Sequence, residues 1–158
     1  MIRATAIPTL EATMPSLTDE QLRDFLSTGD LLMRLATITP EGWPAVNPLW
    51  YYYEDAAFLL GGRRQAQWVE NIRQNPRVSA CIDTAEAIHS RALIEGTAEI
   101  VDPAWLGDWK AWAVRYMGEE RGGRYYDDTK HIPRALVRIT PRKIVTWSGP
   151  GWHPRYLE

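Results

Sequence analysis

Cysteine is almost absent from this sequence of 158 residues, which contains Cys81 alone. One cysteine cannot form an intrachain disulfide, and it argues against a cysteine-based metal site. Cys81 lies in the apolar run Val78-Ser-Ala-Cys-Ile82, so we expect it to be a small buried residue. A chain without disulfides suits a reducing compartment, and we therefore expect a cytoplasmic protein.

Long hydrophobic runs and strong charge are also missing. Residues 1–12 lack an extended apolar stretch, which predicts neither a signal peptide nor a membrane span. The formal net charge is only −2, so electrostatics give no reason to expect binding to nucleic acid or to an anionic membrane.

Groups that catalyse reactions by themselves are scarce. The histidines His89, His131 and His153 lie far apart without the spacing of metal ligands, and we expect no metal site. The sequence also has no nucleophile elbow. If this protein catalyses a reaction, a cofactor must supply most of the chemistry.

Aromatic residues, in contrast, are abundant and unevenly chosen: eight Trp and seven Tyr accompany only two Phe. Buried Trp and Tyr need hydrogen-bond partners, so they suit surfaces that are partly apolar and partly hydrated. This composition favours a subunit interface or a pocket for a planar ligand. The simpler alternative is that the many Trp and Tyr residues reflect drift in amino-acid composition and have no functional role.

The pattern of elements predicts one mainly β domain over residues 1–158, with an N-terminal arm at 1–15 and a C-terminal tail at 149–158. A capping box at Thr18 and Gln21 begins a helix that Gly29 ends. Turn residues then separate predicted strands at 31–39, 43–53, 56–60, 78–83, 89–101 with a bulge at Gly96, and 135–140 continuing through a turn into 143–147.

Two further helices are predicted at 65–74 and from Pro103 to Met117, and the glycine-rich segment 118–130 is predicted to be a loop. Strands joined as hairpins with helices at their junctions indicate an antiparallel six-stranded barrel, not a parallel doubly wound sheet.

The first candidate site is the segment Gly61-Gly-Arg-Arg-Gln65 before the second helix. Glycine allows close approach of the backbone, and a helix start offers free N–H groups. Arg63 and Arg64 add donors that match phosphate. Gly62 to Gln65 are thus candidate phosphate ligands. A solvated turn with two surface arginines is the alternative.

The second candidate site is the segment Asn47-Pro48-Leu49-Trp50, where proline leaves backbone groups of an edge strand free to bind a flat heterocycle. Protection of the edge against aggregation explains it equally well. The third is the aromatic tail with Trp152, His153 and Arg155, which could close over an anionic planar substrate. An arm docked on the domain is the alternative there.

The order of these features resembles a known family. Leu35-Ala-Thr-Ile-Thr-Pro-Glu-Gly-Trp-Pro-Ala-Val-Asn-Pro-Leu-Trp50 is similar to the opening hairpin of the pyridoxamine 5′-phosphate oxidase-like split β-barrels. Glu70-Asn-Ile-Arg-Gln-Asn-Pro-Arg-Val78 resembles the helix that follows their third strand, and Glu95-Gly-Thr-Ala98 resembles their fifth strand. The resemblance spans residues 30–101, with a weaker similarity at 139–156.

The resemblance implies a homodimer with two FMN sites, each built from both chains. It implies that Asn47 to Trp50 lie along the isoalloxazine ring, that Gly62 to Gln65 face the phosphate, and that the partner's tail helps to close the site. Trp147, Trp152, His153 and Arg155 are the residues expected to take part in that closure.

One departure concerns Trp68, which stands where many relatives carry a phosphate-binding lysine, three residues before Asn71. The charge must then come from Arg63 and Arg64. The same region also looks like the deazaflavin-dependent branch of the superfamily, so coenzyme F-420 is the alternative cofactor. We expect an oxidoreductase that moves a hydride or electrons to or from a small organic substrate. The alternative is a flavin-binding or storage protein without turnover.

Overall fold

The computed structural model describes residues 16–86 and 90–149. The predicted N-terminal arm, nearly all of the predicted tail, and the start of the predicted fifth strand at His89 lie outside the described residues. The elements, in chain order, are α1 (Asp19–Ser27), β1 (Met33–Ile38), β2 (Pro44–Leu49), β3 (Tyr52–Glu54), β4 (Ala57–Arg63), α2 (Gln67–Gln74), β5 (Arg77–Asp83), β6 (Ser90–Trp105), α3 (Lys110–Met117), α4 (Glu119–Thr129) and β7 (Arg134–Ser148).

The strands form one antiparallel sheet in the order β2-β1-β5-β6-β7-β4-β3. The prediction of a mainly antiparallel β fold is confirmed, but the predicted six-stranded barrel does not match the observed sheet. Seven strands form an open sheet, with β2 and β3 at its two edges and no ladder between them in the described part of the chain. The predicted strand 43–53 is in fact two strands, because the chain leaves β2 after Leu49 and pairs again, with β4, from Tyr52.

Three local predictions fail because contacts between elements override local signals. Gly61 and Gly62 do not end a strand, since β4 continues through them to Arg63 in register with β7. Pro103 does not begin a helix, since β6 continues to Trp105. Residues 119–129 are helical rather than a loop, so the glycines there lie inside α4.

The long strands β6 and β7 tolerate residues that usually interrupt a ladder. The register shifts between Glu95 and Gly96, which confirms the predicted bulge. Pro141 of β7 pairs with Gly96 at this irregularity, so the missing N–H of the proline is accommodated and the strand continues. The predicted strands 135–140 and 143–147 are therefore one strand.

The other helical predictions hold. Thr18 and Gln21 form the capping box of α1, and Gly29 beyond its end has a φ of +70°. Helix α2 is fixed to the sheet by a buried polar contact, in which Asn71 Nδ2 donates to Thr37 Oγ1 at 2.9 Å. In residues 16–86 and 90–149, no helix is both long enough and apolar enough to cross a membrane.

Candidate functional site

The two adjacent glycines of β4 make room for tryptophan rings on both faces of the sheet. A Cβ atom on Gly62 would collide with the ring of Trp68, which comes from α2. A Cβ atom on Gly61 would lie 3.3 Å from Trp105 and 3.4 Å from Trp112. The glycine pair therefore brings β4 into contact with aromatic side chains from three different elements.

These rings belong to an aromatic cavity of about 370 Å³. Its walls come from the β2 end, β4, α2, the end of β6 and the two helices before β7. The lining residues are Pro48, Leu49, Trp50, Gly61, Gly62, Arg63, Ala66, Trp68, Trp105, Trp109, Trp112, Tyr125 and Arg134. A volume in this range with mostly apolar and aromatic walls is typical of a small-molecule site.

Trp50 is held in this wall by Tyr116 of α3. The two rings stack with a centroid distance of 5.0 Å and an interplanar angle of 2°. The Tyr116 hydroxyl lies 3.1 Å from the Leu31 carbonyl oxygen and accepts from the backbone N–H of Tyr51 at 3.2 Å. Burial raises the pKa of this hydroxyl, so it stays protonated as a donor.

A second, basic cavity of about 730 Å³ adjoins the first. Among the described residues, four arginines line it, and the one acidic residue there, Glu70, is ion-paired with Arg73. The full lining is Arg63, Arg64, Gln65, Ala66, Glu70, Arg73, Tyr125, Thr129, Ile132, Pro133 and Arg134. The excess of unneutralised guanidinium groups suits an anionic ligand.

The first turn of α2 faces the same region. Its N-cap residue, Ala66, lines both cavities and has no side chain that could cap the helix. The free N–H groups of the first turn and the positive end of the helix dipole add to the charge of Arg63 and Arg64.

The predicted site residues divide into three groups. Pro48, Leu49, Trp50, Gly62, Arg63 and Trp68 meet in the aromatic cavity, and Arg63, Arg64 and Gln65 line the basic one. Asn47 and Trp147 line neither cavity; the ring of Trp147 lies under the Arg91 guanidinium at 4.1 Å. Trp152, His153 and Arg155 lie outside the described residues.

Sequence reasoning missed the contribution of the segment between β6 and the start of β7. Trp105, Trp109, Trp112, Tyr125 and Arg134 all line the aromatic cavity. The crowding of Trp and Tyr in 105–126 is the signal that points to them, but the local pattern predicts only one helix and a loop there. In the described part of the chain, no cluster of His, Cys, Asp or Glu could hold a metal ion.

Comparisons with known proteins agree on the fold. The family model described as pyridoxamine 5′-phosphate oxidase matches residues 18–148. No curated protein matches significantly. Among solved structures, a conserved hypothetical protein from Mycobacterium tuberculosis is 26% identical, with a TM-score of 0.66 and 89% coverage of both chains.

Two more distant structures carry functional names. An F-420 reductase is 20% identical with a TM-score of 0.60, covering 77% of this chain and 94% of its own. HutZ, the haem storage protein from Vibrio cholerae, is 21% identical with a TM-score of 0.61, covering 85% of this chain and 97% of its own. At these identities the likeness shows the fold alone.

Proposed function

Because this chain belongs to the pyridoxamine 5′-phosphate oxidase family, we propose that it is an oxidoreductase that uses FMN or the deazaflavin coenzyme F-420. The observation that carries this proposal is the continuity of the aromatic and basic cavities. They share Arg63, Ala66, Tyr125 and Arg134. A ligand that is planar at one end and phosphorylated at the other matches both environments at once.

The residues fit such a cofactor. Trp50 and Tyr125 are only partly buried and offer aromatic surfaces to a ring system. Arg63 and Arg64 are exposed, and neither side chain has an ion-pair partner among the described residues, so both can donate to phosphate oxygens. Bound there, the cofactor supplies hydride or electron transfer.

The protein's own contribution is positioning and exclusion of water. The stacked Tyr116 fixes the Trp50 wall, and the indole rings of the aromatic cavity leave few polar groups near a bound ring. Of the described residues that line either cavity, Glu70 alone is acidic, and it is ion-paired with Arg73. The described residues thus favour a reaction in which a small organic substrate is held against the cofactor without an obligatory protein acid or base.

The presence of Trp68 at the position of the expected lysine is compatible with either FMN or F-420. Trp68 is only 5% exposed and packs on Gly62, so the position expected to carry a phosphate-binding lysine here completes the core instead. Arg63 and Arg64 must provide the charge, and they do so for either phosphorylated cofactor. A flavin-binding or storage protein without turnover is the second candidate, because the aromatic and basic linings account for cofactor binding and do not by themselves require a substrate.

Absorption titration of the purified protein tests the proposal. We expect added FMN or F-420 to bind, and the bound cofactor to be reduced by a chemical or nicotinamide donor and reoxidised by an acceptor. A cofactor that binds but stays inert would favour the storage function. A protein that binds neither cofactor, or binds haem instead, would contradict the proposal.

The Arg63→Ala, Arg64→Ala double variant tests the phosphate assignment. We expect cofactor binding to weaken by about 2–4 kcal/mol in total, because a charge-assisted hydrogen bond is worth about 1.5–3 kcal/mol and solvent screening reduces that value at two exposed arginines. The measurement is a fluorescence titration. The matched control is Arg23→Ala with Arg121→Ala, which removes the same charge from exposed positions that line neither cavity. Equal affinity of the two double variants would reject the assignment.

We also propose a homodimer, supported by an apolar patch on the sheet. Leu93 and Val145 are direct cross-strand neighbours on β6 and β7 and are 39% and 41% exposed. Cys81 of β5 pairs with Leu93 and is only half-buried, against the expectation of a buried residue. Val46 of the edge strand β2 is 62% exposed. A second copy of the chain would cover these side chains.

A further inference from the structure

We infer that Arg134 is a ligand-binding residue that anchors the anionic group of the cofactor at the junction of the aromatic and basic cavities. This inference rests on the proposed function, and it adds a residue that sequence reasoning did not identify. Arg134 is the first residue of β7 and lines both cavities. A group bound to it would therefore lie between the planar and the charged parts of the ligand.

The pairing of strands places Arg134 directly opposite a second cation. Arg63 of β4 and Arg134 of β7 are cross-strand partners. Like charges in that position repel each other. Neither has a carboxylate partner among the described residues. An anion between the two guanidinium groups would convert this repulsion into attraction.

Uncharged groups of the protein hold the side chain of Arg134 in place. Its guanidinium carbon lies 4.0 Å from the centroid of the buried Trp109 ring. Its Nη2 donates to Tyr125 Oη at 3.3 Å and to Thr129 Oγ1 at 3.2 Å. Thr129 in turn donates its hydroxyl proton to the Tyr125 carbonyl oxygen at 2.8 Å, which leaves its lone pairs free to accept from Arg134.

One hydrogen-bond donor of the Arg134 guanidinium group is not used by these contacts. The Nε atom of Arg134 is buried and has no hydrogen-bond partner in the described part of the chain. A buried donor without an acceptor is costly, and natural proteins rarely retain one without a reason. A phosphate or carboxylate oxygen at the junction would accept from it. A neutral ligand would leave the positive charge uncompensated.

The variants Arg134→Gln and Arg134→Lys test this role. For the cofactor that the wild type binds, the affinity of the phosphorylated form is compared with that of its phosphate-free form, FMN with riboflavin or F-420 with its bare deazaflavin chromophore. We expect Arg134→Gln to weaken the phosphorylated form by about 10–100-fold, the equivalent of one lost charge-assisted bond. The affinity for the phosphate-free form should change by less than about threefold, which corresponds to a free energy smaller than that of one ordinary hydrogen bond. Arg134→Lys should restore part of the lost affinity, since lysine keeps the positive charge but lacks the planar, bidentate geometry of the guanidinium group.

Comparison with the phosphate-free ligand distinguishes a direct role of Arg134 in binding the anion from a role in packing alone. If Arg134 only supports Trp109 and Tyr125, both ligand forms weaken equally, and the inference is overturned. Unchanged affinity for both forms overturns it as well. Arg138→Gln is the matched control, because Arg138 lies on the same strand and lines neither cavity. It should leave both affinities at the wild-type value.

A second measurement does not depend on the cofactor. Inorganic phosphate should raise the Tm of the wild type and of Arg138→Gln, but raise that of Arg134→Gln clearly less. If the wild type binds no flavin or deazaflavin, the proposed function fails while this measurement still decides whether Arg134 binds an anion. The same phosphate shift in all three proteins overturns the inference.

Discussion

At the scale of single residues, Tyr51 contains a polar group that the fold does not use. Its side chain is fully buried, and its hydroxyl makes no hydrogen bond of ordinary geometry in the described part of the chain. Burial, and after it the neighbouring Tyr116, raises the pKa of this hydroxyl above its usual value, although the nearby Arg115 guanidinium opposes the rise. The neutral phenol is therefore the form that the folded state requires.

The Tyr51→Phe variant should be at least as stable as the wild type at pH 7, by up to about 1 kcal/mol, because it removes an unsatisfied buried group. Above about pH 10 the unfolded chain loses the phenol proton while the folded chain keeps it, so the free energy of unfolding falls as pH rises. Tyr51→Phe should lose less stability than the wild type in that range. Urea unfolding at neutral and alkaline pH measures both effects.

Tyr116→Phe is the contrasting variant, because the Tyr116 hydroxyl bonds to backbone groups of Leu31 and Tyr51. We expect it to be less stable than the wild type at pH 7, by about 1–3 kcal/mol for the backbone groups left unpaired. If Tyr51→Phe were destabilised to a similar degree, Tyr51 would have a partner that our interpretation does not contain.

At the scale of elements, the helix pair α3–α4 depends on one close approach. A Cβ atom on Gly122 of α4 would lie 2.5 Å from the Ala113 carbonyl oxygen of α3. Only glycine permits this distance, and the contact places Trp109 and Tyr125 beside each other, with ring centroids 5.5 Å apart. The shape of the aromatic cavity therefore depends on the packing of these two helices.

Gly122→Ala should destabilise the protein by about 1–3 kcal/mol, since the added methyl group forces the helices apart. Gly123→Ala is the matched control one residue away, where the nearest atom to a new Cβ is Lys110 Cε at 3.8 Å. It should stabilise the helix by up to about 1 kcal/mol, as alanine does in place of glycine. Thermal unfolding compares the two variants, and equal effects would contradict the close-packing argument.

At the scale of the whole molecule, the sheet has one face with exposed apolar residues that a second chain would cover. Light scattering at micromolar concentration should give the mass of a dimer. Leu93→Glu with Val145→Lys should give a monomer, because charged side chains on both central positions oppose burial. Leu106→Lys is the control, since Leu106 is 59% exposed and lies outside the sheet. A monomeric wild type would remove the basis for a site shared between chains.

Local sequence signals determined much of this protein. The capping box at Thr18, the turn before Trp43, the helix after Gln65 and the prolines that place β2 at an edge are all decided by residues a few positions apart. Local signals are also the basis of the proposal that the segment Gly62 to Gln65 binds an anion. The type of fold followed from the order of these elements.

Only the tertiary structure decided where strands end and which distant residues meet. Pairing with β7 carries β4 through its glycines, and α4 packs closely on α3 at Gly122, so contacts between elements outweigh local propensity there. Arg134 joins Arg63 because β7 returns beside β4, a neighbour relation that no local pattern contains. The sequence by itself thus predicted the family and several residues of β2, β4 and α2 that line the two cavities, whereas the aromatic residues of 105–125 and Arg134 reach those cavities only through the three-dimensional packing of the chain.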